Sequence, residues 1–328
     1  MLQAKAIRIR EPGGPEVLEV GEIEVSSPGP TQVVVEVAAA GLNRADCLQR
    51  RGFYPAPPGV PPDVPGLEFA GVVEVVGDSV SEWKPGDRVM GIVGGGSMAT
   101  RVLTEGAELM PVPEGMSLEH AAAVPEVFLT AYDAVVLQGG LEAGKTVLYH
   151  AVASGVGTAG IQIAKALGAT SVGTSRTAHK LPRCTELGLY HAVLVEDGKF
   201  ADTVLSAVPN GVDVILDTVG AAYLSQNVKV IAKQGRIIVI GLMGGVKGEL
   251  ALGALLAKRA SIHGSVLRSR TPAEKAKLTK SFTEAMLGRF ATGELTPIVD
   301  DVLDMKEVQA AHARMDRNET FGKLVLRW

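Results

Sequence analysis

Hydrophobic and polar positions follow two rhythms along this chain, and the change falls near residue 125. Before it, short runs rich in Val, Ile and Ala alternate with turn signals: AKAIRIR (4–10), TQVVVEVAAAG (31–41), FAGVVEVVG (69–77) and DRVMGIV (87–93). Apolar β-branched runs bounded by Pro-Gly and Gly-Gly pairs predict strands. The first third therefore predicts a compact, mostly β domain, and the tight turn in KPGDRV suits a small barrel. YPAPPGVPPDVPG (54–66) is too proline-dense for helix or central strand, because each proline fixes φ and removes an N–H. It predicts an ordered surface loop or lid.

After residue 125 strand and helix patterns alternate. KTVLYH (145–150), ATSVGTS (169–175), VDVILDTVG (212–220) and GRIIVIGLMGG (235–245) read as buried strands, with helical stretches such as GTAGIQIAKALG (157–168) between them. This order predicts an α/β fold with a doubly wound parallel sheet, and SIHGSVL (261–267) is the candidate last strand. Residues 271–295 predict a long amphipathic helix capped by Thr271, with Pro272 at its first position. FGKLVLRW (321–328) predicts a strand, which must pair with something, and the first domain is the obvious partner. The expected organisation is a mostly β domain, 1–124 and 268–328, into which a Rossmann domain, 125–267, is inserted. No internal repeat or low-complexity tract interrupts it.

Composition narrows the function. The 328 residues suffice for two domains, and a net charge of −4 argues against a nucleic-acid footprint. The two cysteines, Cys47 and Cys184, support neither a disulfide framework nor a Cys-rich metal site. The N-terminal stretch lacks a signal-peptide pattern, and no apolar run is expected to cross a bilayer. The expectation is a cytoplasmic enzyme acting on small molecules, without nucleic-acid or membrane partners.

The stretch HAVASGVGTAGIQIAK carries Gly155-x-Gly157-x-x-Gly160 between an apolar strand and a helix, the context a dinucleotide fingerprint requires. Gly155 allows the turn, Gly157 lets a pyrophosphate approach the backbone, and Gly160 permits close helix–strand packing. N–H groups of Gly155, Val156 and Gly157 at the helix start then face the phosphates, and Ser154 lies within the loop. An NAD site usually places Asp or Glu at the end of the second strand. Here that end reads GTSRTAHK, with Ser175, Arg176 and Lys180 and no carboxylate; His179 adds to the basic turn. A hydroxyl and two cations suit the 2′-phosphate of NADPH. The six histidines form no ligand spacing, and Trp83 and Trp328 read as packing residues.

LNRADCLQRRGFYPAPPG, VPGLEFAGVVEVVG, WKPGDRVMGIVGGG, PEVFLTA, GLMGG and VLRSR, together with the glycine loop, make the chain resemble, end to end, the zinc-free medium-chain dehydrogenases/reductases of the quinone oxidoreductase type. The resemblance implies a GroES-like catalytic domain around a Rossmann domain, and a homodimer formed by edge pairing around SIHGSV. The zinc-dependent branch uses a Cys and a His-Glu pair; this chain has Asn43 near the first position and Leu67-Glu68 at the second. Those residues do not supply the three or four ligands zinc needs. Hydride transfer from NADPH to a quinone or an α,β-unsaturated carbonyl fits instead.

By resemblance, Tyr54 faces nicotinamide and substrate, and Asn43 bonds the nicotinamide ribose or the substrate. Tyr54, Asn43 and Ser154 are thus the catalytic candidates. Tyr54 acts either as a hydrogen-bond donor or as a packing wall. Asp46 reads as a structural cap, and Cys47 as a packed helix residue. Carried over as cofactor contacts are Thr130, Gly220, Gly241, Leu242, Met243, Leu267, Arg268 and Ser269, with Asn227 less secure. Thr130 reads equally as a core hydroxyl. Two departures stand out: Val152 where the family often has Gly, and Val195 where relatives place a Tyr beside adenine. An enoyl-thioester reductase, and an NADPH-binding protein with a structural or RNA-binding role, remain as alternatives.

Overall fold

The structure, a computed structural model, describes residues 1–328. It divides into two compact units: Met1–Leu129 with Leu267–Gly293 and Pro297–Trp328, and Thr130–Val266 with Glu294–Thr296. The excursion at Glu294–Thr296 has no signal in the sequence. It is made by Gln162, whose carboxamide donates to Thr296 O at 2.9 Å and accepts from Thr296 N at 2.8 Å.

The strands are, in chain order, β1 Leu2–Ile9, β2 Leu18–Val25, β3 Gln32–Leu42, β4 Glu68–Val76, β5 Arg88–Ile92, β6 Arg101–Glu105, β7 Leu109–Pro111, β8 Thr146–Tyr149, β9 Thr170–Ser175, β10 His191–Leu194, β11 Val212–Asp217, β12 Ile231–Val239, β13 Ser261–Gly264, β14 Val299–Asp304 and β15 Lys323–Arg327. In the first unit β1 and β2 form a ribbon, and the order β14-β15-β3-β4-β5-β7 makes the main sheet, with β6 also on β3. The eleven-residue β3 organises this unit. Val33, Val35 and Val37 on one face join Phe69, Val73, Val89 and Val102 in one core. Ala40 and Leu42 join a second core with Leu324, Leu326 and the helix Val308–Asp316. The closing strand β15 lies antiparallel to β3, Leu324 opposite Leu42.

The 54–66 segment forms no helix or strand, as its prolines require. The expected helix after Thr271 runs over Pro272–Phe282 and continues through a wide turn, Thr283–Leu287, to Ala291, shorter than the pattern suggested. Thr271 and Glu274 cap each other: Thr271 Oγ1 accepts from Glu274 N, and Glu274 Oε2 accepts from Thr271 N at 2.9 Å.

In the second unit all strands are parallel, in the order β10-β9-β8-β11-β12-β13. This is the doubly wound Rossmann arrangement, and strand order reverses between β8 and β11, where such sheets open a ligand crevice at their carboxyl ends.

Contrary to the expectation from the sequence, one stretch does reach membrane-spanning length. The helical stretch Leu118–Gln138 is long and apolar enough to cross a membrane by length and composition. Most of it is buried inside the protein, the environment that its apolar residues serve here.

Candidate functional site

In the Rossmann unit the candidates collect at the carboxyl ends of the parallel strands. The loop after β8 leads into the helix Gly155–Ala166, whose N-cap Ser154 accepts from Gly157 N at 3.2 Å. Ser154, Gly155 and Val156 are half-buried at this helix start, where the first N–H groups of a helix lack intrahelical partners. The residues present fit the phosphates of a dinucleotide.

The glycines divide their work differently from expectation. None of the three fingerprint glycines has positive φ; the left-handed residue is Ala151, at φ 50°. A Cβ on Gly157 would lie 2.3 Å from Val152 O, so the loop's own backbone already demands glycine there. A Cβ on Gly160 would lie 2.4 Å from the Tyr149 ring, which confirms the close helix–strand approach. Val152 is accommodated because β9 offers Gly173, where a Cβ would meet the Val152 side chain at 2.4 Å, and Val152 N bonds Thr174 O at 2.9 Å.

At the end of β9, Ser175 Oγ accepts from Thr177 N at 3.0 Å and shapes the turn. Arg176 and His179 are exposed, whereas Lys180 is only 7% exposed and turns inward. Val195, at the end of β10, is a core residue, and Tyr190 lies before the start of that strand. Tyr190 therefore sits at the opposite end of β10 from the crevice and does not replace the missing ring.

Asn227 is not a free cofactor contact. Its Nδ2 donates to Asp217 Oδ2 at 3.0 Å, which leaves Oδ1 facing His150 Nε2 at 2.7 Å. Nε2 therefore carries the proton, and Nδ1 accepts from Thr174 Oγ1 at 2.8 Å. Burial pushes the imidazole pKa down against the pull of Asp217, so this histidine stays neutral. Asp217 also accepts from Val219 N and Gly220 N, at 2.7 and 2.9 Å. Gly220 has φ 79° and its carbonyl accepts from Tyr223 N, so both its backbone groups are engaged in shaping the turn. Beyond β12, Gly241 leads to Leu242 and Met243, 51% and 56% exposed. The His150 chain had no signal in the sequence, because its members come from four separate elements.

In the first unit, Tyr54 is half-buried in the proline-rich loop, with the Arg268 guanidinium 4.9 Å from its ring centroid. Burial raises the phenol pKa and Arg268 opposes the rise, leaving a neutral hydrogen-bond donor. Arg268 donates to Gly94 O at 2.6 Å, Tyr54 O at 2.9 Å and Gln49 Oε1 at 2.6 Å. All three guanidinium nitrogens are engaged in pinning the loop. Leu267 is half-buried and Ser269 exposed; Thr130, the first residue of the second unit, is half-buried near the end of the helix Pro125–Ala131.

Asn43 and Glu68 form a buried polar floor in the same unit. Lys323 Nζ lies 2.6 Å from Glu68 Oε1 and donates to Asn43 Oδ1 at 2.6 Å and Leu42 O at 2.8 Å. Asn43 Nδ2 donates to Glu68 Oε1 at 2.9 Å. Asp46 accepts from Asn43 N and Gly66 N, both at 2.8 Å, as a capping carboxyl; burial nevertheless pushes its pKa up to about 6. Glu126 N donates to Glu68 Oε2 at 2.8 Å. Cys47 is fully buried, and burial holds its thiol up at about 12. Sequence reasoning missed Lys323 and Glu126. The first has no local signal; the second is marked only by its place beside the helix-starting Pro125.

The chain matches the alcohol dehydrogenase GroES-like domain over residues 29–114 and the zinc-binding dehydrogenase domain over residues 155–284. It is 31% identical over 327 residues to the human quinone oxidoreductase, covering 98% of this chain and 97% of the relative. It is similar to the solved quinone oxidoreductase of Pseudomonas syringae pv. Tomato DC3000, with TM-score 0.88, 32% identity, and 99% and 100% of the two chains covered. It is also similar to the CurK enoyl reductase, with TM-score 0.85, 27% identity, and 99% of each chain covered. The zinc named by the second domain does not fit these residues. No three His, Cys, Asp or Glu are grouped to hold a metal, and an ammonium already neutralises Glu68.

Proposed function

Because the chain belongs to the quinone oxidoreductase type of the medium-chain dehydrogenase/reductase family, whose members bind a nicotinamide cofactor, we propose that it is an NADPH-dependent reductase of quinones or α,β-unsaturated carbonyls. The observation that carries this reading is the floor at Asn43 and Glu68. Lys323, rather than a set of metal ligands, sits between them. Alcohol oxidation in the zinc branch leans on a Lewis acid, whereas an electron-poor acceptor needs only a hydride and a proton. When bound, the nicotinamide supplies the hydride.

The chain's own residues then bind and orient. The N–H groups at Gly155 and Val156 hold the pyrophosphate, and exposed Arg176 pairs with the 2′-phosphate. Tyr54 donates a hydrogen bond to the acceptor oxygen as negative charge develops on it. Arg176→Ala is expected to raise the KM for NADPH roughly 10–100-fold, because charge-assisted hydrogen bonds contribute ~1.5–3 kcal/mol, while NADH kinetics stay unchanged. Stopped-flow oxidation of NADPH and NADH by an ortho-quinone tests both claims. NADPH that binds while no quinone or enone is reduced removes the acceptor class.

The likeness to an enoyl reductase favours one second reading, reduction of an enoyl thioester. Comparing enoyl-CoA with quinone as acceptor separates the two.

The protein is also proposed to act as a homodimer. β13 is an edge strand, and the helix Leu252–Lys258 that precedes it in the chain leaves Leu252 and Leu256 68% and 79% exposed. An open strand edge and exposed leucines are each a liability unless another copy covers them. Sedimentation is expected to show a dimer that Leu252→Asp/Leu256→Asp converts to monomer. A wild-type chain that is monomeric at micromolar concentration refutes the assignment.

A further inference from the structure

We propose that Glu126 is the acid that protonates the reduced acceptor, a role that rests on the reductase reading above. Within the helix Pro125–Ala131 every residue is buried except Glu126 and Thr130, which stand four apart and so share one open face. The start of this helix is held to the polar floor by the bond from Glu126 N to Glu68 Oε2. The Glu126 carboxyl itself has no hydrogen bond or ion pair within the chain. It is therefore a half-buried group that no bond within the protein explains.

Its surroundings keep it protonated. Glu68 and Asp46 repel a second negative charge, while Lys323 and Lys275 act the other way. Burial is the largest influence, and the carboxyl is pushed up to about 8. The helix start is bonded through Glu68 Oε2 to the floor that holds Asn43, so the carboxyl stands next to the polar residues of the candidate site. A carboxyl that titrates close to the working pH is suited to general acid catalysis.

The step balances. A bound nicotinamide would supply two electrons and one proton as hydride, and the acceptor would then carry the charge of an enolate or a hydroquinone monoanion. The O–H bond of Glu126 breaks, its proton joins that anion, and the electron pair remains on the carboxylate. Water restores the proton through the open face.

Glu126→Gln keeps the size of the side chain and removes the proton. With NADPH and an enone, wild-type kcat is expected to be level below about pH 8 and to fall above it, because the acid form is then lost. The variant is expected to lose roughly 10²–10⁴-fold in kcat together with this pH limb, and Glu126→Asp to restore part of both. NADPH binding, followed by fluorescence, is expected to stay unchanged.

Thermal unfolding reports the same proton without turnover. A carboxyl raised on folding stabilises the protein at low pH, and that contribution is lost as pH rises from 4.5 to about 8. The wild-type midpoint should therefore fall relative to Glu126→Gln across this window. A variant with wild-type kcat and an intact limb overturns the role and leaves the reductase reading standing. A wild type that reduces no quinone or enone overturns both, and a midpoint difference independent of pH overturns the protonated carboxyl.

Discussion

Replacing Lys323 by methionine is expected to lower the unfolding free energy by about 3–5 kcal/mol, the usual cost of stranding one partner of a buried ion pair. The side chains of Lys323 and Glu68 are 4% and 0% exposed, and their charged atoms lie 2.6 Å apart. The ammonium also supplies hydrogen bonds to Leu42 O and Asn43 Oδ1. Its loss leaves a carboxylate without a counter-ion and two acceptors without that donor. Lys323→Met/Glu68→Gln should recover much of the loss, because removing both charges also removes the need for compensation. Urea titrations read both variants as shifts in midpoint at constant slope. A single variant within about 1 kcal/mol of wild type, the range of an exposed pair, shows that Glu68 does not depend on Lys323.

Arg268→Ala is the second large effect, about 2–4 kcal/mol of stability, since an unsatisfied buried acceptor costs about 1–3 kcal/mol and water relieves part of the sum. Its more informative consequence is kinetic. Arg268 is 5% exposed, and its guanidinium bonds join Gln49 of the helix Arg44–Arg50, the Tyr54 carbonyl and Gly94. Loosening that joint frees the proline-rich loop, so the KM for the acceptor should rise by roughly tenfold or more. The NADPH dissociation constant should hold. Arg268→Lys should rescue little, because an ammonium has no planar fork to reach three acceptors. The opposite pattern, weakened NADPH binding with unchanged acceptor kinetics, would restore Arg268 as a cofactor contact.

Much of the architecture was legible because its causes are local. Alternation in TQVVVEVAAAG and FAGVVEVVG matches β3 and β4, and the Gly155–Gly160 spacing lies at the start of the helix Gly155–Ala166. The Thr271 cap and the closing strand also follow from residues a few positions apart. The reason for a glycine was less legible. Gly157 is required by the carbonyl of Val152, a contact set by the folded loop and invisible in the spacing.

The site was legible only in part. Ser154 caps the helix and Arg176 is exposed after β9, but Lys180 turns inward, and Asn43, Asn227 and Arg268 are engaged within the protein. Lys323 and Glu68 meet because β15 lies on β3 and β3 on β4. No sequence window contains both. The sequence by itself determined the two rhythms, the order of elements and the nucleotide loop, since periodicity, turn chemistry and capping act over a few residues. Only the tertiary structure decided which polar groups became struts and which, like the exposed Arg176 and the unbonded Glu126 carboxyl, did not. Burial and charge pairing depend on what distant strands bring alongside.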